Sequence, residues 1–116
     1  MKLAAAALAA AVILSPVMAS AAEPWLGRWI VEPKFCTEQG DTSETMPLIV
    51  TARTLEWFVA RCTYSSATQR GGRWHLNARC SVDGSRGPTP IVLQIKGERL
   101  VVRWGGESPI EMQRCQ

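Results

Sequence analysis

The stretch Ile91 to Cys115, IVLQIKGERLVVRWGGESPIEMQRC, decides the fold. Its apolar residues recur at alternate positions, the two-residue period of a strand with one buried face. Gly97-Glu98 suits a two-residue hairpin turn whose first position favours glycine. That turn pairs Ile95 with Leu100, Leu93 with Val102 and Ile91 with Trp104. The connection Gly105 to Pro109 then sets Trp104 opposite Ile110, Val102 opposite Met112 and Leu100 opposite Arg114. Every residue on the shared face is apolar except Arg114, while Gln94, Lys96, Arg103, Glu111 and Gln113 take the other face, as a solvated surface requires.

Working upstream, short runs of Val, Ile, Leu, Trp and Thr alternate with Gly, Pro, Asp and Ser, and no segment after the leader holds a helical period for three turns. Seven strands are predicted, over Arg28 to Val31, Leu48 to Thr51, Thr54 to Tyr64, Arg73 to Val82, Ile91 to Lys96, Arg99 to Trp104 and Ile110 to Cys115. The polar, acidic segment Thr37 to Thr45 reads as a mobile loop, and Asp83 to Pro90, with its Asp-Gly and Gly-Pro pairs, as a turn-rich connection. Reversal at Gly71-Gly72 brings Cys62 to face Cys80. It places Phe58, Ala60, Tyr64, Trp74, Leu76, Ala78 and Val82 on the same side, and Arg61, Arg73, His75, Asn77 and Arg79 on the other. A tight turn at Ala52-Arg53 conflicts with this by aligning Leu48, Val50, Leu55 and Trp57 on the opposite face of the third strand, and a bulge near Val59 to Arg61 would reconcile the halves. An antiparallel meander with one apolar face must cover it. The expected fold is therefore all-β, a small barrel of about seven or eight strands, with a two-sheet sandwich as the alternative.

Residues 1–22 read as a cleavable signal peptide: Lys2, an Ala-rich apolar run reaching Ile13 and Leu14, then Pro16 and the small residues Ala19, Ser20, Ala21 and Ala22. The run is short of about 20 strongly apolar residues, so no stable membrane insertion is expected once it is cleaved. Residues 23–116 then form a single domain small enough to profit from cross-links. All four cysteines, Cys36, Cys62, Cys80 and Cys115, lie in it. In an exported chain they read as two disulfides, together contributing about 5 kcal/mol. Four cysteines allow three connectivities, and the shared face of Cys62 and Cys80 favours joining those two and leaving Cys36 with Cys115. A zinc site would want paired short spacings, which are lacking, and His75 is the only histidine. No metal and no cofactor are expected.

Of the 13 Lys and Arg residues, Lys2 falls in the leader, leaving 12 against 10 acids, a balance that does not point to nucleic acid. Their placement is uneven. Glu32, Glu38, Asp41 and Glu44 gather early, whereas Arg61, Arg70, Arg73, Arg79 and Arg86 face only Asp83 in the middle of the chain. Arginine binds carboxylate or phosphate in a two-pronged geometry.

Gly27-Arg28-Trp29 resembles the G-x-W that opens the first strand of lipocalin-like barrels. The resemblance implies that Trp29 packs against a basic residue of the last strand, and Arg114 occupies that place. The layout of signal peptide, G-x-W, four spaced cysteines and final Arg-Cys also resembles small periplasmic β-barrel proteins of bacteria, among them lysozyme and protease inhibitors.

Catalysis needs a nucleophile beside a base, two placed carboxylates or a metal. The serines at Ser65, Ser66, Ser81, Ser85 and Ser108 lie in turn-rich contexts without G-x-S-x-G, and His75 sits between Arg73 and Asn77 on the predicted outer face. Glu32 and Glu38 have nothing to hold them as a pair. Of the five tryptophans, Trp29, Trp74 and Trp104 have core assignments, Trp25 caps the barrel end, and Trp57 points outward beside Arg61 if Phe58 points inward. The expectation is a soluble, periplasmic or secreted, non-enzymatic binding or inhibitory module. Its candidate binding residues are Trp57, Arg61, Arg73, His75 and Arg79, and its partner is a protein, a glycan or an anionic envelope component. A lipocalin-like small-ligand carrier or a small hydrolase is the alternative.

Overall fold

The computed structural model describes residues 23–116, so the expected signal peptide over residues 1–22 lies outside the described residues. Eight antiparallel strands follow one another round a closed barrel. They are β1 (Gly27–Ile30), β2 (Leu48–Val50), β3 (Thr54–Trp57), β4 (Ala60–Arg70), β5 (Arg73–Val82), β6 (Ser85–Lys96), β7 (Arg99–Trp104) and β8 (Ile110–Arg114). β1 pairs with both β2 and β8, which closes the sheet. Inside lie Trp25, Trp29, Leu48, Leu55, Ile91, Leu93, Leu100 and Met112, each at most 2% exposed.

The hairpin expected at Gly97-Glu98 forms, with Ile95 opposite Leu100 and Ile91 opposite Trp104. The final hairpin differs. Val102 stands opposite Ile110 and Leu100 opposite Met112, two residues from the predicted register. Gly105, at φ 59°, and the Glu107 N–H, which donates to the Trp104 carbonyl, shape the turn, and the ladder to β8 ends at Val102 and Ile110. A two-residue slip preserves the side-chain faces, so the core positions are those expected. It also frees Arg114 from Leu100 and sets it opposite Trp29 on β1.

Two further corrections concern the middle of the chain. The segment Thr54 to Tyr64 is not one bulged strand. It breaks at Phe58-Val59, so that Trp57 pairs with Ala60 and Leu55 with Cys62, and both halves point their apolar residues inward. Phe58 sits at φ 53°, a left-handed conformation that costs a bulky residue on the order of 1 kcal/mol. With neither Gly nor Asn at the turn, its position left no mark in the sequence. Asp83 to Pro90 is likewise no loop: the turn is confined to Asp83-Gly84, and Ser85 onward pairs with β5. The irregularity in β4 falls between Tyr64 and Ala67 rather than near Val59.

Both disulfides form, Cys62 with Cys80 directly across β4 and β5 and Cys36 with Cys115 across a sequence separation of 79. The second ties a short 3₁₀ turn, Pro33–Cys36, to the end of the chain. Ile30 is fully buried yet outside the interior cluster, on the outer face of the β1 strand that the turn contacts. The acidic loop after it is organised by Thr45, whose hydroxyl oxygen accepts the amides of Asp41 and Thr42. The Trp57 indole N–H donates to the Ser43 carbonyl at 2.8 Å, which ties the loop to the barrel.

Tyr64 projects into the core, edge-on to Trp25 at 6.0 Å between ring centroids, and its hydroxyl donates to the Thr51 carbonyl. Burial pushes its phenol above the ordinary value of 10.0, and the carboxylate of Glu23 adds to the shift. Because the fold favours the neutral form, this contribution to stability is intact below about pH 10 and is lost as the pH rises through the folded value. Tyr64 is the chain's one tyrosine, so phenolate absorbance reports it alone. The folded protein is expected to titrate above pH 10 and the denatured protein near it, and Tyr64→Phe to blunt alkaline destabilisation. A folded-state midpoint at or below 10 would place the hydroxyl in water.

Candidate functional site

Two places on the barrel bring several polar side chains together, one end of the barrel and one wall. At the end, the Arg114 guanidinium lies 4.1 Å above the Trp29 ring. Its two terminal nitrogens donate to the carbonyls of Leu26, at 2.8 Å, and Pro24, at 2.6 Å. Trp29 in turn donates its indole N–H to the Trp25 carbonyl at 3.0 Å. Gly27 is required here: at φ 126°, a Cβ would stand 2.8 Å from Arg114 Nη1. Arg114 is nevertheless solvent-exposed on its open side, so it closes the barrel end as a clamp on the N-terminal segment and is not enclosed within it.

The wall is built by β3 to β6. Register alone places Glu56, Arg61, Ser81 and Arg86 in one row across the four strands, with Thr54, Thr63, Arg79 and Pro88 in a second row beside it. Neighbouring strands lie about 4.8 Å apart and diagonal neighbours about 7 to 8 Å. Arg79 is diagonal to both Arg61 and Arg86, so the three arginines form a triangle about Ser81. They line an open surface groove of ≈ 630 Å³ with Thr54, Thr63 and Gly87. A second groove, lined by Arg53, Ser65 and Asn77, shares Thr54, Thr63 and Arg79 with the first.

Among the described residues, none of Arg61, Arg79 and Arg86 forms a salt bridge. Glu56 stands opposite Arg61 without an ion pair, and the salt bridges among the described residues both belong to Glu111, with Lys96 and Arg99. Like charges at this spacing repel, and among the described residues Glu56 is the one carboxylate lining the groove, against three arginines.

The candidate binding residues do not all meet. Arg61 and Arg79 do. Arg73 is exposed on the same outer face of β5 but six residues from Arg79, about 20 Å along the strand, opposite Arg70 and Gln94. His75 is half-buried between Thr68 and Val92, away from the groove. Trp57, expected to point outward beside Arg61, is 9% exposed and packs 5.8 Å from Trp104, because the turn at Phe58 reverses its facing. Arg86 joins the site instead, and its strand could not be anticipated from a segment rich in Gly and Pro.

No family model, no curated protein and no solved structure matches this chain. Functional reading therefore rests on the groove and the barrel end themselves. Among the described residues, no group of three or more His, Cys, Asp or Glu is placed to hold a metal, and no helix is long and apolar enough to cross a membrane.

Proposed function

We propose that this chain is an exported, non-enzymatic binding or inhibitory module that engages an anionic partner through the groove of Arg61, Arg79 and Arg86. The observation that carries the reading is the triangle of arginines, in no salt bridge among the described residues, on a wall that sets one carboxylate, Glu56, and several hydroxyls beside them. Guanidinium groups read carboxylate, phosphate or sulfate by charge-assisted, two-pronged hydrogen bonds. Export and a periplasmic or secreted location are supported by the leader-like start and by two disulfides, which persist in oxidising compartments. Kinship with lipocalin-like barrels is supported by the stack of Trp29 on Arg114 behind Gly27. A carrier's internal cavity is disfavoured by the aromatic and aliphatic side chains that occupy the barrel interior.

The test is capture from an envelope extract by immobilised residues 23–116. The native domain is expected to retain a component that salt releases, and the variant Arg61→Gln, Arg79→Gln, Arg86→Gln to lose it. Thermal stability should barely change, since exposed charges contribute about 0 to 1 kcal/mol each. Capture that withstands salt and the triple replacement would move attention to the Thr37 to Thr45 loop.

A further inference from the structure

We infer that the groove's ligand is an anionic oligosaccharide, a sugar chain carrying carboxylate or sulfate groups, lying along the β3 to β6 wall. This rests on the proposed role of the arginine groove and names the class of ligand it takes. The two grooves are continuous through Thr54, Thr63 and Arg79. From Arg61 to Ser65 along β4 they extend about 13 Å, room for an extended chain rather than a single ion.

The lining suits such a chain. Arg61, Arg79 and Arg86 supply separated positive points at one part of the groove and Arg53 another at the far part, against the single carboxylate of Glu56, while Thr63, Ser65, Asn77 and Ser81 offer hydroxyl and amide groups between them. Hydroxyls and an amide both donate and accept, as a ligand dense in hydroxyl groups requires. The groove offers no exposed aromatic plane: Tyr64, its one aromatic, points into the core, with Trp25 against its ring. A neutral sugar would have no stacking platform, so recognition must run through charge.

An acidic peptide has the same charge, and the local backbone argues against it. Extended peptides bind well by pairing their main chain with an open strand edge. Residues 85–90 of β6 pair with β5 on one side and with no strand on the other, since pairing with β7 starts at Ile91. The Pro90 carbonyl points to that open side, where it accepts the Gly105 amide. By the two-residue period Pro88 faces the same way, and neither proline has an N–H to donate. The edge bordering the groove therefore keeps a single backbone donor, the Arg86 N–H, and is a poor template for strand addition.

The experiment is titration calorimetry of residues 23–116 with four defined probes: oligogalacturonate, sulfated dextran oligosaccharide, neutral dextran oligosaccharide and oligoglutamate, with inorganic sulfate as the free-ion arm. A charged oligosaccharide should bind with a salt-dependent affinity, neutral dextran should not, and sulfate should bind far more weakly than either charged chain. Arg61→Gln with Arg79→Gln and Arg86→Gln should weaken binding by about tenfold or more, whereas Arg28→Gln with Arg70→Gln and Lys96→Gln, which removes the same charge outside the groove, should not. Arg79→Lys, which keeps the charge and loses the fork, should fall between. Binding of oligoglutamate as tight as that of the charged sugars overturns the inference, as does binding indifferent to the groove arginines. If neither charged sugar binds while arginine-dependent capture from the envelope persists, the ligand class is wrong and the binding module stands.

Discussion

Replacing Cys36 and Cys115 together with serine is expected to destabilise the protein by about 4.5 kcal/mol, because the bond closes a sequence separation of 79 residues and the unfolded chain regains that loop's entropy when it is gone. Removing the Cys62–Cys80 bond, across a separation of 18, should cost about 3 kcal/mol on the same reasoning. The long bridge has a second role. It holds the 3₁₀ turn against β1 at the seam where β1 meets β8, a seam whose ladder consists of two residue pairs plus the Cys115 amide bonded to the Arg28 carbonyl. Urea unfolding of the two double variants measures both effects. A loss below about 1 kcal/mol for the Cys36 and Cys115 pair would mean that the seam strands alone hold the chain ends.

Trp29→Ala should rank next, at about 4 kcal/mol, the scale for emptying a fully buried tryptophan site. Arg114→Ala should cost about 2 kcal/mol: its exposed side discounts its charge, but two backbone carbonyls lose their donor and Trp29 loses the plane above it. The two should not add. Without the Trp29 ring the guanidinium is no longer positioned over Pro24 and Leu26, so a double-mutant cycle should return a coupling of about 1 kcal/mol. Arg114→Lys should recover little, since an ammonium cannot fork to both carbonyls. If denaturation midpoints show full additivity, the stack is a proximity without energetic content and Gly27 answers to some other constraint.

Local alternation made much of this barrel legible. The period of two in Ile91 to Met112 marks the inward face, and the parity of Cys62 and Cys80 marks their bond, because both depend on residues close in sequence or separated by a recognisable turn. Parity also survives error: the register of β7 and β8 differs from the sequence reading by two residues, yet every side chain keeps its face. The candidate site was half legible for the same reason. Arg61 and Arg79 follow from parity on paired strands, whereas the distance between Arg79 and Arg73 follows from the length of β5.

What the amino-acid order indicated unaided is the all-β class, the inward faces of the last three strands and the parity that favours joining Cys62 to Cys80, all of which come from the alternation of apolar residues that must leave water together; it misplaced Trp57 as outward and Phe58 and Val82 as inward. The tertiary structure alone decided where strands begin and which wall they share. Phe58 turns the chain against its own conformational preference because Leu55 and Trp57 on one side of it, and Cys62 and Tyr64 on the other, must enter the same core. Burial of those side chains outweighs a local strain on the order of 1 kcal/mol, and that preference is invisible until the partners are in place. The same closure draws Ser85 to Pro90 into a strand despite its Gly and Pro, and so carries Arg86 to Arg61 and Arg79.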